Sequence, residues 1–457
     1  MLVLVDGEHY PPVVRAAIDR IGDLVPGAHV VGAALLGGGE KLAGPLEVGV
    51  PVVDGATPLQ AVAAGLERFR PDVVVDLSDE PVVDARSRMR LASQVLLAGI
   101  PYQGADFRLD PPPRPRVATK PTVAVIGTGK RTGKTAVSAH LARTLAAAGN
   151  PPVVVAMGRG GPPEPELIDP TSFDLSPAGL VALAASGRHA ASDHLEDALM
   201  ARVATVGTRR CGGGLAGAPV DSTFAAGVEL ANSRPEGLLV LEGSGAAIPP
   251  VHADATLCVV PAGADPELVT GYLGAYRLLL ADLIVVTMCE PPFVDSDPGR
   301  GSALVDGVRA VAPGAGVVRT VLRPSPLESI SGRRVYYVTT APAAAGSVLT
   351  AHLEEQHGCT VVGTSHHLAR RPELKADMEA MEEADVLLVE LKAAGVDLAA
   401  RMALAEHMDV VFCDNRVVTV GGDGSFEEMA SQVAARAGER FARGAGRSGA
   451  SAAKVNR

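Results

Sequence analysis

The stretch from Thr122 to Thr135 constrains the fold of this chain more than any other. It starts with the apolar run Thr122–Gly127, passes through a glycine-containing loop, and leads into an Ala- and Leu-rich segment that closes near Gly149. This order predicts a buried strand, a loop and a helix. A phosphate-binding loop requires that context.

The loop reads Gly-Thr-x-x-x-x-Gly-Lys-Thr, a longer variant in which Thr128 stands where the usual pattern has its first Gly. Its backbone N–H groups and the positive end of the helix dipole predict a polyphosphate site. Lys134 is expected to reach the β- and γ-phosphates, Thr135 to ligate Mg²⁺, and Lys130 to supply a second cation. The residues predicted to bind ATP are Gly127, Thr128, Gly129, Lys130, Arg131, Thr132, Gly133, Lys134 and Thr135.

Chain length, composition and net charge limit the number of domains, the fold class and the possible partners. A chain of 457 residues is too long for one core, so two or three domains are expected. Hydrophobic residues make up 47% and aromatic residues only 3%, and the 51 Gly and 35 Pro imply many turns, which favours α/β units. A formal net charge of -11 gives no global attraction to nucleic acid or to an acidic membrane surface. Local basic clusters must therefore hold any anionic substrate.

The five cysteines are scattered, without a Cys-x-x-Cys pair, and indicate reduced intracellular thiols. The first residues lack the pattern of a signal peptide, and no apolar run approaches the roughly 20 residues that span a bilayer. These features predict a cytoplasmic protein.

Alternating apolar and helical segments over 1–110 predict a Rossmann-like N-terminal α/β domain that binds an anion or substrate. A proline-rich linker at 110–115 precedes a central phosphate-loop NTPase domain at 117–324, with a mostly parallel sheet. A C-terminal α/β segment is expected at 325–443. Residues 444–457, rich in Gly, Ala and Ser, are expected to be a disordered tail.

Polar loops follow the predicted strands of the N-terminal domain, where parallel sheets bind ligands. Glu8 and His9 lie in the first of these loops, Lys41 closes a Gly-rich loop, and Arg86 lies on a later helix. The Gly-rich loop suits phosphate binding and equally suits a flexible turn. All four residues are candidate substrate contacts.

Two arginine-containing loops follow strands of the central domain. Arg159 comes after the second strand, and Arg209 and Arg210 precede three glycines. Guanidinium groups beside free amides suit a doubly charged phosphate, although a plain glycine loop is the alternative. Farther on, an apolar strand ends in Glu242, the acid that a distal Mg²⁺ ligand requires beside the phosphate loop.

In the C-terminal segment, His366 and His367 follow a predicted strand, and Arg416 follows another. Adjacent histidines on a loop lack the spacing of a metal site. Contacts to phosphate, proton transfer, and a purely structural pair are the alternatives for the two histidines.

The middle of the chain resembles dethiobiotin synthetase, which pairs the same long loop with a Glu-Gly-x-Gly strand end, here Glu242–Gly245. The whole chain is more similar to the cyclic 2,3-diphosphoglycerate synthetase family. That resemblance rests on six segments in order: Asp6–Pro11, Gly127–Thr135, Arg209–Gly214, Glu242–Gly245, Ser365–His367 and Asp414–Arg416.

The second resemblance implies a homodimer that uses ATP and Mg²⁺ to close the two phosphates of 2,3-diphosphoglycerate into an intramolecular anhydride. Catalysis is then expected from Lys134, Lys130, Arg209 and Arg210, with metal ligation by Thr135 and Glu242. Two alternatives stay open: a carboxylate- or carbamate-activating ligase of the dethiobiotin type, and a nucleotide switch that acts on a protein partner.

Overall fold

The computed structural model describes residues 1–24, 27–42, 44–187, 192–294, 298–391 and 395–455. The chain forms two compact units. The first unit comprises Met1–Pro113, Asp265–Leu280 and Ala310–Pro313, and the second unit comprises Arg114–Ala264, Ala281–Arg309 and Gly314–Arg457. The first unit thus includes a segment that the sequence assigns to the phosphate-loop domain.

The first unit is built on a six-stranded sheet in the order β3-β2-β1-β4-β5-β6. All pairings are parallel except that of β5 with β6. Every residue of β1 is buried, as expected of a central parallel strand. The strands are β1 (Leu2–Val5), β2 (Gly32–Leu35), β3 (Val52–Val53), β4 (Val74–Asp76), β5 (Tyr102–Gln103) and β6 (Arg108–Leu109).

The second unit contains one 13-stranded sheet, in which β9 pairs with β10 beside the main order β11-β10-β8-β12-β7-β13-β14-β15-β19-β18-β16-β17. Its strands are β7 (Thr122–Gly127), β8 (Val153–Gly158), β9 (Glu166–Ile168), β10 (Thr205–Cys211), β11 (Asp221–Ser222), β12 (Leu239–Glu242), β13 (Ala255–Pro261), β14 (Leu283–Thr287), β15 (Gly316–Pro326), β16 (Arg334–Val338), β17 (Thr360–Ser365), β18 (Val386–Glu390) and β19 (Asp409–Gly422).

Helices connect most of these strands. They are α1 (Pro11–Leu24), α2 (Pro58–Phe69), α3 (Ala85–Leu97), α4 (Lys134–Ala147), α5 (Pro177–Ala185), α6 (Asp193–Ala201), α7 (Phe224–Asn232), α8 (Pro266–Thr270), α9 (Gly274–Leu280), α10 (Pro298–Val311), α11 (Gly346–His357), α12 (Arg371–Glu379), α13 (Val396–Ala405) and α14 (Phe426–Val455). Short 3-10 turns occupy Gly39–Lys41 and Ala343–Ala345.

Local signals set several of the helix starts. The Thr57 side chain accepts a hydrogen bond from the backbone N–H of Gln60, and Pro58 occupies the first position of α2. Asp84 caps α3 in the same way, with Ser87 N–H donating at 2.7 Å. Such caps satisfy backbone donors that have no partner inside the helix.

The large sheet consists of two parallel blocks joined by the antiparallel pair β15 and β19. In the first block, Val286 near the end of β14 lies opposite Arg319 of β15. In the second block, Glu390 at the end of β18 lies opposite Cys413, which in turn pairs with Pro326. Because β15 and β19 run in opposite directions, the carboxyl ends of the two blocks point toward each other.

The distance between the carboxyl ends of the two blocks follows from the length of β15 that separates them. Arg319 and Pro326 are seven residues apart on that strand, which corresponds to about 23 Å at the usual rise of an extended chain. Ligands of parallel sheets bind beyond the carboxyl ends of strands. The long β15–β19 pair therefore gives the second unit two ligand-binding edges that face each other.

The predicted α/β fold class is confirmed, and the C-terminal segment shares its core with the phosphate-loop domain. One apolar cluster contains Val125 and Val285 from the first block together with Leu387 and Phe412 from the second. The segment predicted as a separate C-terminal region thus completes a sheet and a core that the central domain begins.

The last helix differs from the sequence prediction. Helix α14 runs to Val455, through most of the segment 444–457 for which a disordered tail is predicted, and its Ala-rich composition supplies the helix propensity. Residues 456 and 457 lie outside the described residues. Within the second unit, Arg436 and Arg440 anchor α14 to Asp282 at 2.9 and 2.8 Å.

Candidate active site

The phosphate loop joins β7 to α4, as the sequence predicts. Gly133, the residue before α4, has a φ of +82°, a backbone conformation that favours glycine. Arg131 in the same loop also has a positive φ, +61°. The 14-residue helix begins at Lys134, so its free N–H groups and its dipole are directed at the loop. Backbone geometry therefore provides the anion-binding concavity.

Neighbouring strands hold the loop in place. The backbone N–H of Thr128 donates to the Val259 carbonyl at 3.2 Å, and the Thr287 hydroxyl donates to the Thr132 carbonyl at 2.7 Å. A Cβ atom on Gly127 would lie 2.9 Å from Oγ1 of Thr132, closer than two such atoms ordinarily approach. The loop is thus organised by β13 and β14 before any ligand binds.

Lys134, Thr135 and Glu242 lie together at the carboxyl ends of β7 and β12. Their side chains are almost entirely buried, with Glu242 only 1% exposed. The Lys134 ammonium lies 3.9 Å from Oε1 of Glu242, while Oε2 of Glu242 has no hydrogen-bond partner among the described residues. A buried carboxylate oxygen without a donor fits a cation ligand, so Thr135 and Glu242 have the oxygens to hold Mg²⁺.

The remaining loop residues are more open. Lys130 and Arg131 are exposed, and Gly129 is half-buried. An exposed cation at the tip of a phosphate loop is free to follow a phosphate group, which is the role predicted for Lys130. The structure gives no contact that tests this role, so it stays a prediction.

Arg159 and Arg210 converge beside this centre. A Cβ atom built on Gly245 would lie 3.0 Å from Nη2 of Arg159 and 3.5 Å from Nη2 of Arg210. Arg210 donates to the Ser244 carbonyl at 2.8 Å and to the Gly212 carbonyl at 2.6 Å. Burial, followed by the nearby charge of Arg159, lowers the pKa of Arg210. Two guanidinium groups that repel each other at one point suit a bound anion with at least two negative charges.

Arg209 is placed differently from Arg210. Consecutive side chains of a strand leave on opposite faces, and both residues belong to β10. The Arg209 backbone bonds to Thr223 and Ser222, and its side chain is exposed. The structure therefore groups Arg210 with Arg159, and the catalytic role of Arg209 stays a prediction.

His366 and His367 lie just beyond β17, with their rings held by different groups. Nδ1 of His366 is 2.9 Å from the Ala341 carbonyl, so this nitrogen carries the proton. Nδ1 of His367 is 2.8 Å from Oδ2 of Asp377, which also accepts a hydrogen bond from Ser365 at 2.6 Å. Within the part of the chain that the structure describes, Nε2 of neither ring has a hydrogen-bond partner, which is compatible with phosphate binding or proton transfer.

Arg416 lies on β19, opposite Arg323 in the antiparallel register. Its neighbour Asp414 is buried and pairs with Arg143 of α4 at 2.7 Å. Burial raises the pKa of Asp414, and Arg143 offsets part of that effect. The pair ties the helix after the phosphate loop to the second block, a connection that the sequence reasoning missed because no local pattern links residues so far apart.

The N-terminal unit forms a polar site of its own after β1. The buried Asp6 accepts hydrogen bonds from the backbone N–H groups of Glu8, His9 and Asp79, and lies 2.8 Å from Nδ1 of His9. Lys41 pairs with Glu8. Strand β1 stands between β2 and β4, where the chain order of the sheet reverses, the usual ligand position in such folds. Glu8, His9 and Lys41 are therefore brought together.

Arg86 is engaged elsewhere in the same unit. Its guanidinium lies 3.4 Å from Glu267 and 3.1 Å from the Thr270 hydroxyl, both on α8. These contacts give Arg86 a structural role in holding α8, beside the substrate role that the sequence predicts. Its neighbour Arg88 bonds to Asp76 at 2.9 Å.

One buried acid near the phosphate loop was missed by sequence reasoning. Asp197 on α6 is completely buried beside Glu242. No local signal marked it, because α6 carries Glu196 and Asp197 side by side and all of its residues from His194 to Ala201 are buried. Among the described residues, no group of three or more His, Cys, Asp or Glu is arranged to hold a metal, and no helix is long and apolar enough to cross a membrane.

Three family models match consecutive parts of the chain. The model described as cyclic 2,3-diphosphoglycerate synthetase, N-terminal domain, matches residues 1–110. The P-loop domain of the same synthetase matches 122–321, and its C-terminal domain matches 326–416.

Full-length relatives agree with these matches. The cyclic 2,3-diphosphoglycerate synthetase of Rubrobacter xylanophilus is 49% identical over 96% of this chain and 99% of the relative. That of Methanothermus fervidus is 43% identical over 92% and 93%. Among solved structures, LpxK of Aquifex aeolicus in complex with ATP covers 70% of this chain and 90% of its own, with a TM-score of 0.39 and 12% identity. That last similarity is too remote to carry an argument.

Proposed function

This chain belongs to the cyclic 2,3-diphosphoglycerate synthetase family, and we propose on that basis that it catalyses the family reaction. In this reaction ATP drives closure of the two phosphates of 2,3-diphosphoglycerate into a cyclic anhydride, with release of ADP and phosphate. The observation that carries the proposal is the ordered match of three family domains, supported by 49% identity to a relative over 96% of the chain.

The site geometry supports phosphoryl transfer. In the proposal, the loop N–H groups and Lys134 bind the triphosphate, which the start of α4 at Lys134 supports. The Arg159–Arg210 pair binds a phosphate of the substrate, which the approach of both guanidinium groups to Gly245 supports. Phosphoryl transfer needs positioning and neutralisation of charge more than a covalent nucleophile. Lys130, Arg209, His366, His367 and Arg416 are proposed as further contacts to the transferred group or the substrate, with Glu8, His9, Lys41 and Arg86 in the N-terminal unit.

We propose two successive displacements. First, an oxygen of one substrate phosphate attacks the γ-phosphorus of ATP, and the bond to ADP breaks. The substrate then carries a phosphoanhydride. Next, an oxygen of the other substrate phosphate attacks the phosphorus that bears this new group, and inorganic phosphate leaves as the ring closes. In both steps the cationic side chains hold anions that would otherwise repel each other.

Thr135 and Glu242 are the residues that would hold Mg²⁺, because both are buried at the loop and one oxygen of Glu242 has no donor among the residues that the structure describes. When bound there, the ion would neutralise negative charge on the phosphates. Lys134 contributes a fixed positive charge at the same place, 3.9 Å from Glu242.

The proposal is tested by ADP release from the purified full chain with ATP and Mg²⁺, with and without 2,3-diphosphoglycerate, with products followed by phosphorus NMR. Stimulated ADP release and new anhydride resonances are expected. Lys134→Ala should lower turnover by at least about 10²–10³-fold, because a preorganised cation at the transferred phosphate is lost. If 2,3-diphosphoglycerate gives neither stimulation nor an anhydride, the proposal fails, and the dethiobiotin-type alternative is tested with amines and carbon dioxide.

We also propose a homodimer in the cytoplasm. The family resemblance supports the dimer, and none of the five cysteines, all within the described residues, forms a disulfide bond, which is compatible with a reducing compartment. Sedimentation equilibrium should give twice the 46.6 kDa chain mass. A concentration-independent monomer would contradict the dimer.

A further inference from the structure

Asp197 is a buried acid for which the proposed reaction has no role yet. It lies on α6, which packs against α4 and β8, and its side chain is 0% exposed. Neither carboxylate oxygen has a hydrogen-bond partner among the described residues. An ionised carboxyl group buried without a partner is strongly unfavourable, so this position needs a physical explanation.

Two other buried aspartates of the chain have ordinary donors. Asp254 accepts hydrogen bonds from the backbone N–H of Thr122 at 3.0 Å and from its hydroxyl at 2.9 Å. Asp6 accepts three backbone N–H groups. These two residues show how a structural aspartate is held in this fold, and among the described residues Asp197 has no such donor.

The neighbours of Asp197 explain the difference. Burial raises the pKa of Asp197 well above its ordinary value, and the adjacent carboxyl group of Glu242 raises it further. Glu242 is 1% exposed, and its Oε2 has no hydrogen-bond partner among the described residues. Glu196 and Asp193 are further acids that act on Asp197, whereas the ammonium group of Lys134 lies 3.9 Å from the other oxygen of Glu242. Acidic groups therefore outnumber the basic group in a place that water does not reach. A divalent cation would reverse that imbalance, and carboxylate oxygens are ligands that such ions prefer.

We propose that Asp197 is a second carboxylate of the cation site, beside Glu242 and Thr135. The inference rests on the cation site of the proposed function and deepens it. The ion is held by one hydroxyl oxygen and two carboxyl groups from three different elements, α4, β12 and α6. Helix α6 is thereby coupled to the phosphate loop through the cation.

The test is Mn²⁺ binding to the full chain in the presence of an unreactive ATP analogue, measured from the EPR signal of free Mn²⁺. Asp197→Asn keeps the side-chain size and removes the charge. Loss of a partner at a metal site usually costs 10–100-fold in affinity, and we expect a weakening of about that size. Asp254→Asn is the matched control, because it removes a buried carboxyl group that bonds to Thr122 at the start of β7, at the other end of that strand from the phosphate loop. It should bind Mn²⁺ like the wild type.

Thermal unfolding provides a second readout that separates a cation ligand from a structural residue. Without divalent cation, Asp197→Asn should be at least as stable as the wild type, because a neutral amide replaces a carboxyl group that is buried beside other acids. With Mg²⁺ and the analogue, its gain in Tm should be smaller than that of the wild type. A structural aspartate would instead be needed under both conditions, so a variant that is less stable in both and binds Mn²⁺ normally would overturn the inference.

Glu242→Gln distinguishes a failure of the inference about Asp197 from a failure of the proposed cation site. If it loses Mn²⁺ binding while Asp197→Asn keeps it, Asp197 is not part of the site and the proposed cation site stands. If both variants bind Mn²⁺ like the wild type, the inference and the proposed cation site both fail. Weakening in both variants, with normal binding by Asp254→Asn, supports both.

Discussion

At the scale of single residues, the charged side chains of the candidate site differ in how deeply they are buried. Lys134 and Glu242 are buried and close to each other, Arg210 is half-buried, and Lys130 is open to solvent. Charges in a site of low dielectric interact strongly, whereas exposed charges are screened by water and salt. Substitutions at the buried positions are therefore expected to have the larger effects on the reaction.

Arg210→Ala should raise the KM for 2,3-diphosphoglycerate by about 10–100-fold, because a charge-assisted hydrogen bond contributes roughly 1.5–3 kcal/mol. The KM for ATP should change less. Arg334→Ala is the control, since it removes an exposed arginine at the amino end of β16, outside the proposed site. Initial rates over both substrates measure this difference, and equal effects of the two variants would contradict the assignment of Arg210 to the anion pair.

The hydrogen bonds of Asp6 lead us to expect that the first unit becomes less stable in acid. Burial raises its pKa, but hydrogen bonds from His9 and Asp79 outweigh burial and hold the pKa below the ordinary value of 3.8. A carboxyl group with a lowered pKa stabilises the fold above its unfolded pKa and loses that contribution as pH falls through the folded value.

Urea unfolding followed between about pH 6 and pH 3 checks this. The free energy of unfolding of the wild type should fall below about pH 4, and Asp6→Asn should be less stable at pH 6 with a flatter dependence. Asp54→Asn, an exposed aspartate of the same unit, should follow the wild type. If the free energy of unfolding of Asp6→Asn depended on pH as steeply as that of the wild type, the acid-sensitive step could not be assigned to Asp6.

At the scale of elements, α4 connects the phosphate loop to the second block of the sheet. Arg143 pairs with Asp414 of β19 at 2.7 Å and also donates to the Met200 carbonyl at the end of α6 at 3.0 Å. His140, one turn earlier, lies 2.7 Å from Glu427 of α14. A helix held on several sides keeps its N-terminus, and hence the anion site, in a fixed position.

The two ends of α4 offer a paired test. Gly133→Ala places a side chain where φ is +82° and only 3.4 Å from Leu322, whereas Gly149→Ala meets a φ of +81° with open space around it. Each should lower the free energy of unfolding by about 1–2 kcal/mol. Only Gly133→Ala should also weaken ATP binding, as measured by calorimetry. Unchanged ATP affinity in Gly133→Ala would show that the loop tolerates a different backbone.

At the scale of the whole molecule, the second unit depends on one long strand pair. β15 and β19 are in register from Val318 with Gly422 to Pro326 with Cys413, and a single apolar cluster spans both blocks. Without β19, the first block would expose an 11-residue edge strand, and exposed edges promote aggregation.

A chain truncated after Pro326 should therefore be insoluble or aggregate, although its phosphate-loop motif is complete. A chain truncated after Arg443 keeps both blocks and should unfold at a temperature close to that of the full chain. Solubility and circular dichroism of the two truncated chains measure this. A soluble, cooperatively folding chain that ends at Pro326 would show that the central domain does not need the C-terminal segment.

Local patterns in the sequence determined the phosphate loop, the α/β class and the family, and these predictions are confirmed. They depend on interactions between residues close in the chain: glycine conformations, helix starts and alternation of strands with helices. Residues such as Lys134, Thr135 and Glu242 follow motifs that fix their place relative to one strand end. Their individual roles stay predictions.

The tertiary structure alone decided which distant residues meet. The convergence of Arg159 with Arg210, the pair of Arg143 with Asp414 and the burial of Asp197 against Glu242 join segments far apart in sequence. The sequence also did not indicate that antiparallel pairing of β15 with β19 would reverse the strand direction of the second block. Pairing of distant strands is set by the burial of whole faces of a sheet, which no short pattern encodes. Sequence motifs thus located the residues of the proposed reaction, and tertiary packing determined which other residues lie beside them.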